Sequence, residues 1–270
     1  MVRTLWTAAS GMAAQQTAVD TIANNLANVN TTGYKNETAE FKSLLYQTIQ
    51  TRTTSANGAN KPVGAQVGLG VRNSSITSHY TQGALTETGV YTNFAIDGDG
   101  FFGVVGEDGN TYYTRNGALQ FGVSTNGITL STSEGYPVLD SNGNQITIPA
   151  TYNSSNITVD SAGQLIYERA DGTTTALGIT IGMYQFNNPA GLDKESASLY
   201  AETPASGAVI NEANNANVVR SSIMQGYLEA SNVQVADEMV NLIVAQRAYE
   251  MNSKAIQAAD DMMQQANNLR

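Results

Sequence analysis

The chain has 270 residues, with 13 lysines and arginines against 23 aspartates and glutamates, a net charge of −10, one histidine and no cysteine. That balance excludes a nucleic-acid partner, which needs a basic face, and the missing thiols exclude disulfides and thiolate metal sites. Charged residues are only 13% of the chain, about half the usual share, and no apolar run approaches the ~18 residues that cross a bilayer, so no membrane insertion is expected.

Residues 4–29 read as a helix. Leu5, Met12, Val19 and Leu26 recur every seven positions, with Ala8, Ile22 and Val29 three further along, an amphipathic stripe. Gly11 inside it costs roughly 1 kcal/mol relative to Ala, which predicts the close approach of another backbone. Thr7, Ser10, Gln15 and Gln16 interrupt any signal-peptide-like apolar run. Asn24 and Asn28 share one face, with Asn25 beside them. These amides are either a solvated polar face or hydrogen-bonding groups that fix register across a helix interface.

Residues 33–75 read as an extended linker. Within them Phe41–Ile49 is apolar and undecided between helix and strand, Thr51–Pro62 is polar, and Gly64, Gly68 and Gly70 bracket short extended pieces. Beyond Val71 the periodicity becomes two, and turn pairs such as Asp108-Gly109, Asn126-Gly127 and Asn142-Gly143 punctuate the runs. This predicts an antiparallel β domain over 76–215. Asp97-Gly-Asp-Gly-Phe101 resembles the start of a calcium loop, but Phe101 stands where an oxygen ligand is needed and no Glu follows at the twelfth position. A hairpin turn accounts for it. A return linker is expected over 216–232, with Ser231 or Asn232 as the cap of a helix spanning 233–270.

That last helix carries Val235, Leu242, Tyr249, Ile256 and Met263 at seven-residue spacing, thickened by Met239 and Ile243. Asp237, Glu238, Arg247, Glu250, Lys254 and Asp261 lie on the opposite side. At 1.5 Å per residue it runs on the order of 50 Å. The fold class expected is therefore α+β. Residues 1–32 and 233–270 pair as a coiled-coil module, and an extended linker and a mainly antiparallel β domain are inserted between them.

Catalytic chemistry is not legible. His79 is the sole histidine and no Gly-x-Ser-x-Gly elbow accompanies it. Asp260 and Asp261 are adjacent on a helix and point apart. No enzyme activity, cofactor or metal is expected. Two helices that pair along a narrow seam keep apolar edges for other copies, and heterologous contacts of that kind grow a helical filament.

Several motifs carry a resemblance. Ala23-Asn-Asn-Leu-Ala-Asn-x-x-Thr-x-Gly-Tyr-Lys35, Tyr227-x-Glu-x-Ser-Asn-Val233 and Gln246-Arg-Ala-Tyr-Glu-Met-Asn-Ser-Lys254 are similar to terminal signatures of the bacterial flagellar axial proteins of rod and hook. Ile96-Asp-Gly-Asp-Gly-Phe-Phe102 and Tyr113-Thr-Arg-Asn-Gly117 resemble β-domain motifs of the same family. Leu44-Leu-Tyr-Gln-Thr-Ile49 and Gly64-x-x-x-Gly-x-Gly-Val71 look most like the members that build the distal rod, with proximal rod or hook-type subunits as the alternative. A secreted surface adhesin is the competing class.

The resemblance implies a structural subunit of the flagellar basal body, exported by the flagellar apparatus without a cleaved signal. It implies polymerisation with itself, neighbouring proximal rod and hook proteins, and surrounding ring proteins. Subunit interfaces would then use Leu5, Met12, Val19, Ile22, Asn24, Asn25, Leu26 and Asn28, with Val235, Met239, Leu242, Gln246, Tyr249, Ile256 and Met263. Leu45, Tyr46, Gln47, Gly64, Gly68 and Gly70 would belong to a rod-specific bridging segment.

Overall fold

A computed structural model describes residues 2–50, 64–124, 127–169, 173–195, 198–215 and 217–268; the centre of the expected polar linker, 51–63, lies outside them. Two compact units result. The first contains α1 (Val2–Ala27), β1 (Glu37–Ser43), β2 (Tyr46–Gln50), β3 (Ala65–Gly68), β4 (Val71–Ser78) and α2 (Val235–Asn268). The second contains residues 28–36 and the β-rich stretch 79–233.

In the first unit α1 and α2 run antiparallel: Asn25 meets the start of α2 at Glu238, and Gly11 lies against Asn252 further along. The buried positions of α2 are Glu238, Ala245 and Ala259, those of α1 are Ala8, Ala14, Thr21 and Asn25. The seam is thus made of small and polar side chains. In α2 it sits three positions on from the expected stripe, keeping the seven-residue period. Small side chains let the backbones approach. A Cβ at Gly11 would stand 2.9 Å from Asn252 Nδ2. The large apolar residues flank this seam: Leu5, Met12, Val19, Leu26, Leu242, Ile256 and Met263 are half-buried, while Val235 and Tyr249 are exposed.

The stretch expected as a linker is instead strand. β1 pairs antiparallel with β4 and β2 with β3. At the joint the Leu44 amide donates to Gly70 O at 2.9 Å and the Leu69 amide to Leu45 O at 3.2 Å. The two pairings are therefore one continuous ribbon of 37–50 against 65–78, about 45 Å long at ~3.3 Å per residue. Bulges interrupt it between Glu40 and Phe41 and between Thr48 and Gln50. Alternation of Ser, Thr and Asn with single apolar residues gave the ribbon too weak a period to stand out from a loop.

In the second unit all sheets are antiparallel. The largest has six strands in the order Asp193–Lys194, Leu199–Ala201, Thr111–Thr114, Phe101–Val105, Met183–Gln185, Ile210–Asn211. Its faces are both covered, because neighbouring residues of one strand point oppositely. Phe102 and Val104 enter a core with Phe94, Leu119, Leu130, Ile146 and Ile181, while Phe101 joins Tyr113, Tyr184, Phe186, Leu192 and Tyr200. Each such side chain contributes about 1.5–3 kcal/mol on burial.

Two expectations change here. Phe94–Asp97 pairs with Ser222–Gln225 while Phe101–Val105 pairs with Thr111–Thr114, so Asp97-Gly-Asp-Gly100 is a corner between sheets and not a hairpin turn. Strands Ser222–Gln225 and Tyr227–Glu229 also occupy the expected return linker, and both belong to the β unit.

Candidate assembly surfaces and the junction of the motifs

Apolar surface concentrates in the first unit. α2 exposes Met239, Val240, Ile243, Val244, Tyr249, Met251 and Met262. On the ribbon Leu45 is 82% exposed and Tyr46 and Ile49 about 60%, with Val67 and Leu69 beside them. Singly exposed apolar residues need no explanation, but contiguous ones mark interaction surfaces. Gln47 and Gln246 are exposed and Gly64, Gly68 and Gly70 half-buried. Gly70 has φ +114 and faces Ser10, where a Cβ would collide with the hydroxyl. The Val71 amide donates to that hydroxyl oxygen at 3.3 Å.

The three asparagines separate. Asn24 is exposed and Asn28 half-buried, where its Oδ1 accepts from the Thr31 hydroxyl at 3.1 Å, past the last turn of α1. Asn25 is fully buried. Its Nδ2 donates to Glu37 O at 2.7 Å, its Oδ1 accepts from the Glu37 amide at 2.9 Å, and Nδ2 also lies 3.4 Å from Glu238 Oε2. One side-chain amide thus satisfies both backbone groups that start β1 and touches the buried carboxylate of α2. Its two short bonds go to the β1 backbone, and only the 3.4 Å contact crosses to α2. Ile22 lies at a half-buried groove of about 290 Å³ with Ala39, Phe41 and Val244.

In the second unit three motifs converge on a buried ion cluster that sequence reading missed. Lys35 Nζ donates to Glu229 Oε1 at 2.6 Å and to Thr81 O at 2.9 Å. Arg115 Nη1 reaches Glu229 Oε2 at 3.3 Å, and the Gly83 amide donates to Oε1 at 2.9 Å. All three charged residues are at most 3% exposed. Arg115 also lies over the Phe101 ring at 5.1 Å, a cation–π arrangement. Burial pushes the Lys35 ammonium below its ordinary value; Glu229 opposes this and Arg115 adds to it. Gly33 must be glycine here, because its φ is +69 and a Cβ would meet the Arg115 carbonyl at 2.8 Å.

Around the cluster, three backbone passages are tied together. Asn232 Oδ1 accepts from the Asn36 amide at 2.7 Å, Asn232 Nδ2 donates to His79 O at 2.8 Å, and the His79 amide donates to Asn36 O at 2.8 Å. The Gly33 amide donates to Glu229 O at 2.9 Å. The available signal was that a chain poor in charge places Lys35, Arg115 and Glu229 inside its distinctive motifs. His79 is exposed.

Comparison with known proteins follows the same motifs. A family model described as flagella basal body rod protein matches residues 5–35. One described as flagellar hook protein FlgE/F/G D1 domain matches 95–167, and one described as flagellar basal body rod FlgEFG protein C-terminal matches 224–269. The chain is 44% identical over 272 residues to the flagellar basal-body rod protein FlgG of Borreliella burgdorferi, covering 100% of this chain and 99% of that one. The protein of the same name from Agrobacterium fabrum is 44% identical over 97% of both chains, and that of Buchnera aphidicola from Acyrthosiphon pisum 40% over the whole of both.

Proposed function

The chain belongs to the flagellar basal-body rod protein family, whose members are structural subunits of the basal body and not enzymes, and from that premise we propose that it polymerises helically into the distal rod. The polymer transmits motor torque to the hook and encloses part of the export channel. The observation that carries this reading is the apolar surface of α2 and of the ribbon, which a solitary subunit leaves in water.

In this reading α1 and α2 pair as a coiled-coil module, and the flanking large residues (Leu5, Met12, Val19, Leu26, Val235, Met239, Leu242, Tyr249, Ile256, Met263) meet neighbouring copies. Gln246 and the Asn24–Asn28 group supply polar contacts at the same surfaces. The ribbon, with Leu45, Tyr46, Gln47 and the glycines 64, 68 and 70, bridges subunits and stiffens the shaft. The partners are further copies, proximal rod and hook proteins at the two ends, surrounding ring proteins and the flagellar export apparatus, which passes the chain without cleaving a signal.

Electron microscopy of basal bodies from cells lacking the chain tests the assignment. Short rods with no hook are expected. Full rods missing only the hook would move it to the hook, loss of nearly all the rod to the proximal segment, and intact flagella would refute it.

A further inference from the structure

The ribbon holds an electrostatic conflict that the isolated chain leaves unresolved. In the β1–β4 register Lys42 stands directly opposite Arg72. Directly opposed residues have Cβ atoms about 4.5–5.5 Å apart, and like charges so placed destabilise the pairing. Both side chains are exposed, and no carboxylate among the described residues lies within ion-pair distance of either. Asn73, next along β4, turns inward, where its Nδ2 donates to Thr17 Oγ1 of α1 at 2.6 Å. Alternation along the strand therefore directs Arg72, and with it Lys42, away from α1. Glu40, two residues before Lys42, turns its carboxylate to the hydroxyls of Ser75 and Thr77 and makes no ion pair with either cation.

The opposite imbalance exists on α2. Asp260 and Asp261 are exposed, beside exposed Met262. The positions three and four residues away on either side carry only Ile, Gln, Ala and Met, so no helical neighbour offsets them as Arg247 offsets Glu250 at 2.8 Å. No basic residue occupies the last turn of α2 either. A directly opposed cationic pair and two adjacent exposed carboxylates, splayed about 100° apart around α2, stand on the same polypeptide.

We propose that the Lys42–Arg72 pair is a subunit contact that docks onto Asp260 and Asp261 of a second copy of this chain. The inference rests on the rod reading and names the polar half of its ribbon contact. Docking converts a repulsive pair into two attractive ones. It sets which neighbour the ribbon accepts, because a surface of net negative charge meets few cations. It also makes the contact weaken as salt rises, since exposed pairs are screened over about 8–10 Å at physiological ionic strength.

Charge exchange tests it in cells whose own copy has been deleted. Restoration of rods by the unaltered chain establishes that the rod reading holds in that background; failure of the deletion to affect rods would instead count against that reading. With it holding, Lys42→Glu/Arg72→Glu and Asp260→Lys/Asp261→Lys are each expected to cut rod number by at least about tenfold, equivalent to about 1.4 kcal/mol per contact. The chain carrying all four changes is expected to recover most of it. Unchanged thermal unfolding of each purified variant separates loss of contact from loss of fold.

Full rods with either double variant, or no recovery in the fourfold variant, would overturn the proposal. Because the chain has no cysteine, Arg72→Cys/Asp261→Cys with a short bis-maleimide identifies the chains in contact. A ladder of linked subunits is expected from purified basal bodies. Linkage confined to single chains, or no linkage in full rods, would overturn it.

Discussion

Replacing Glu229 by Gln removes one negative charge and almost no volume from the buried cluster. In the native arrangement that carboxylate accepts from Lys35 at 2.6 Å, from Arg115 at 3.3 Å and from the Gly83 amide at 2.9 Å. The amide keeps one acceptor, but turns an NH2 toward a cation and leaves two buried positive groups with no anion between them. Breaking a buried ion pair in this way costs about 3–5 kcal/mol. At about 2–4 °C per kcal/mol for a domain of this size, the second unit should melt on the order of 10 °C lower.

Lys35→Met is the informative comparison. It deletes an ammonium and one bond to Thr81 O, yet leaves Glu229 and Arg115 balanced, so the loss should be about 1–3 kcal/mol, the cost of the orphaned carbonyl. Near-UV circular dichroism during thermal unfolding reports the buried tyrosines of this unit, because the single tryptophan, Trp6, is exposed on α1. Equal destabilisation by Lys35→Met and Glu229→Gln would show that uncompensated charge does not govern the cluster.

Three further outcomes follow from the same structure. Burial raises the hydroxyls of Tyr113 and Tyr184 above the ordinary value of 10.0, so the unfolded chain loses those protons first and stability should fall as pH climbs past about 10. The depressed Lys35 acts with opposite sign, adding stability between its lowered value and 10.5. Urea midpoints across alkaline pH should therefore lose their rise in Lys35→Met and soften their fall in Tyr113→Phe. Asn25→Asp keeps an acceptor for the Glu37 amide but loses both donors and faces Glu238, costing about 2–4 kcal/mol; hydrogen exchange at the Glu37 amide should quicken if the clamp is real. Gly33→Ala must tolerate φ +69 and a Cβ 2.8 Å from Arg115; a melting temperature within about 1 °C of the parent chain would refute the tight approach, since more than ~1 kcal/mol is expected.

The ends and the β body were legible because their signals are local. Seven-residue recurrence marks α1 and α2, and Asp108-Gly109 closes a hairpin whose strands pair as its composition demands. The seam itself was displaced, because periodicity finds the large residues while Gly11, Ala245 and Ala259 decide how closely two backbones lie. The ribbon was lost for want of contrast: most of its apolar residues are exposed, so neither face reads as a core. Lys35, Arg115 and Glu229 stand in plain sight within their motifs. Their pairing spans 194 residues between Lys35 and Glu229, and no local pattern reports a contact of that length. The Asp97–Gly100 corner was misread for the same reason, since its flanking strands choose partners far away in sequence.

The bond from the His79 amide to Asn36 O has a bearing on how such a chain diversifies. Residues 37–78 leave the β unit at one side of that bond and return at the other, so the whole ribbon is an excursion whose two ends are stitched at its base. The stitch is indifferent to what the excursion contains. Lengthening a loop between fixed ends costs only about 0.6 kcal/mol per doubling, and the strands that fold the β unit take no part in it. Insertions or deletions in the ribbon can therefore occur without renegotiating the β unit, and only the contacts of Ser10, Thr17 and Asn25 with the ribbon constrain what they replace. One β scaffold is free to carry ribbons of different length at a single point of insertion.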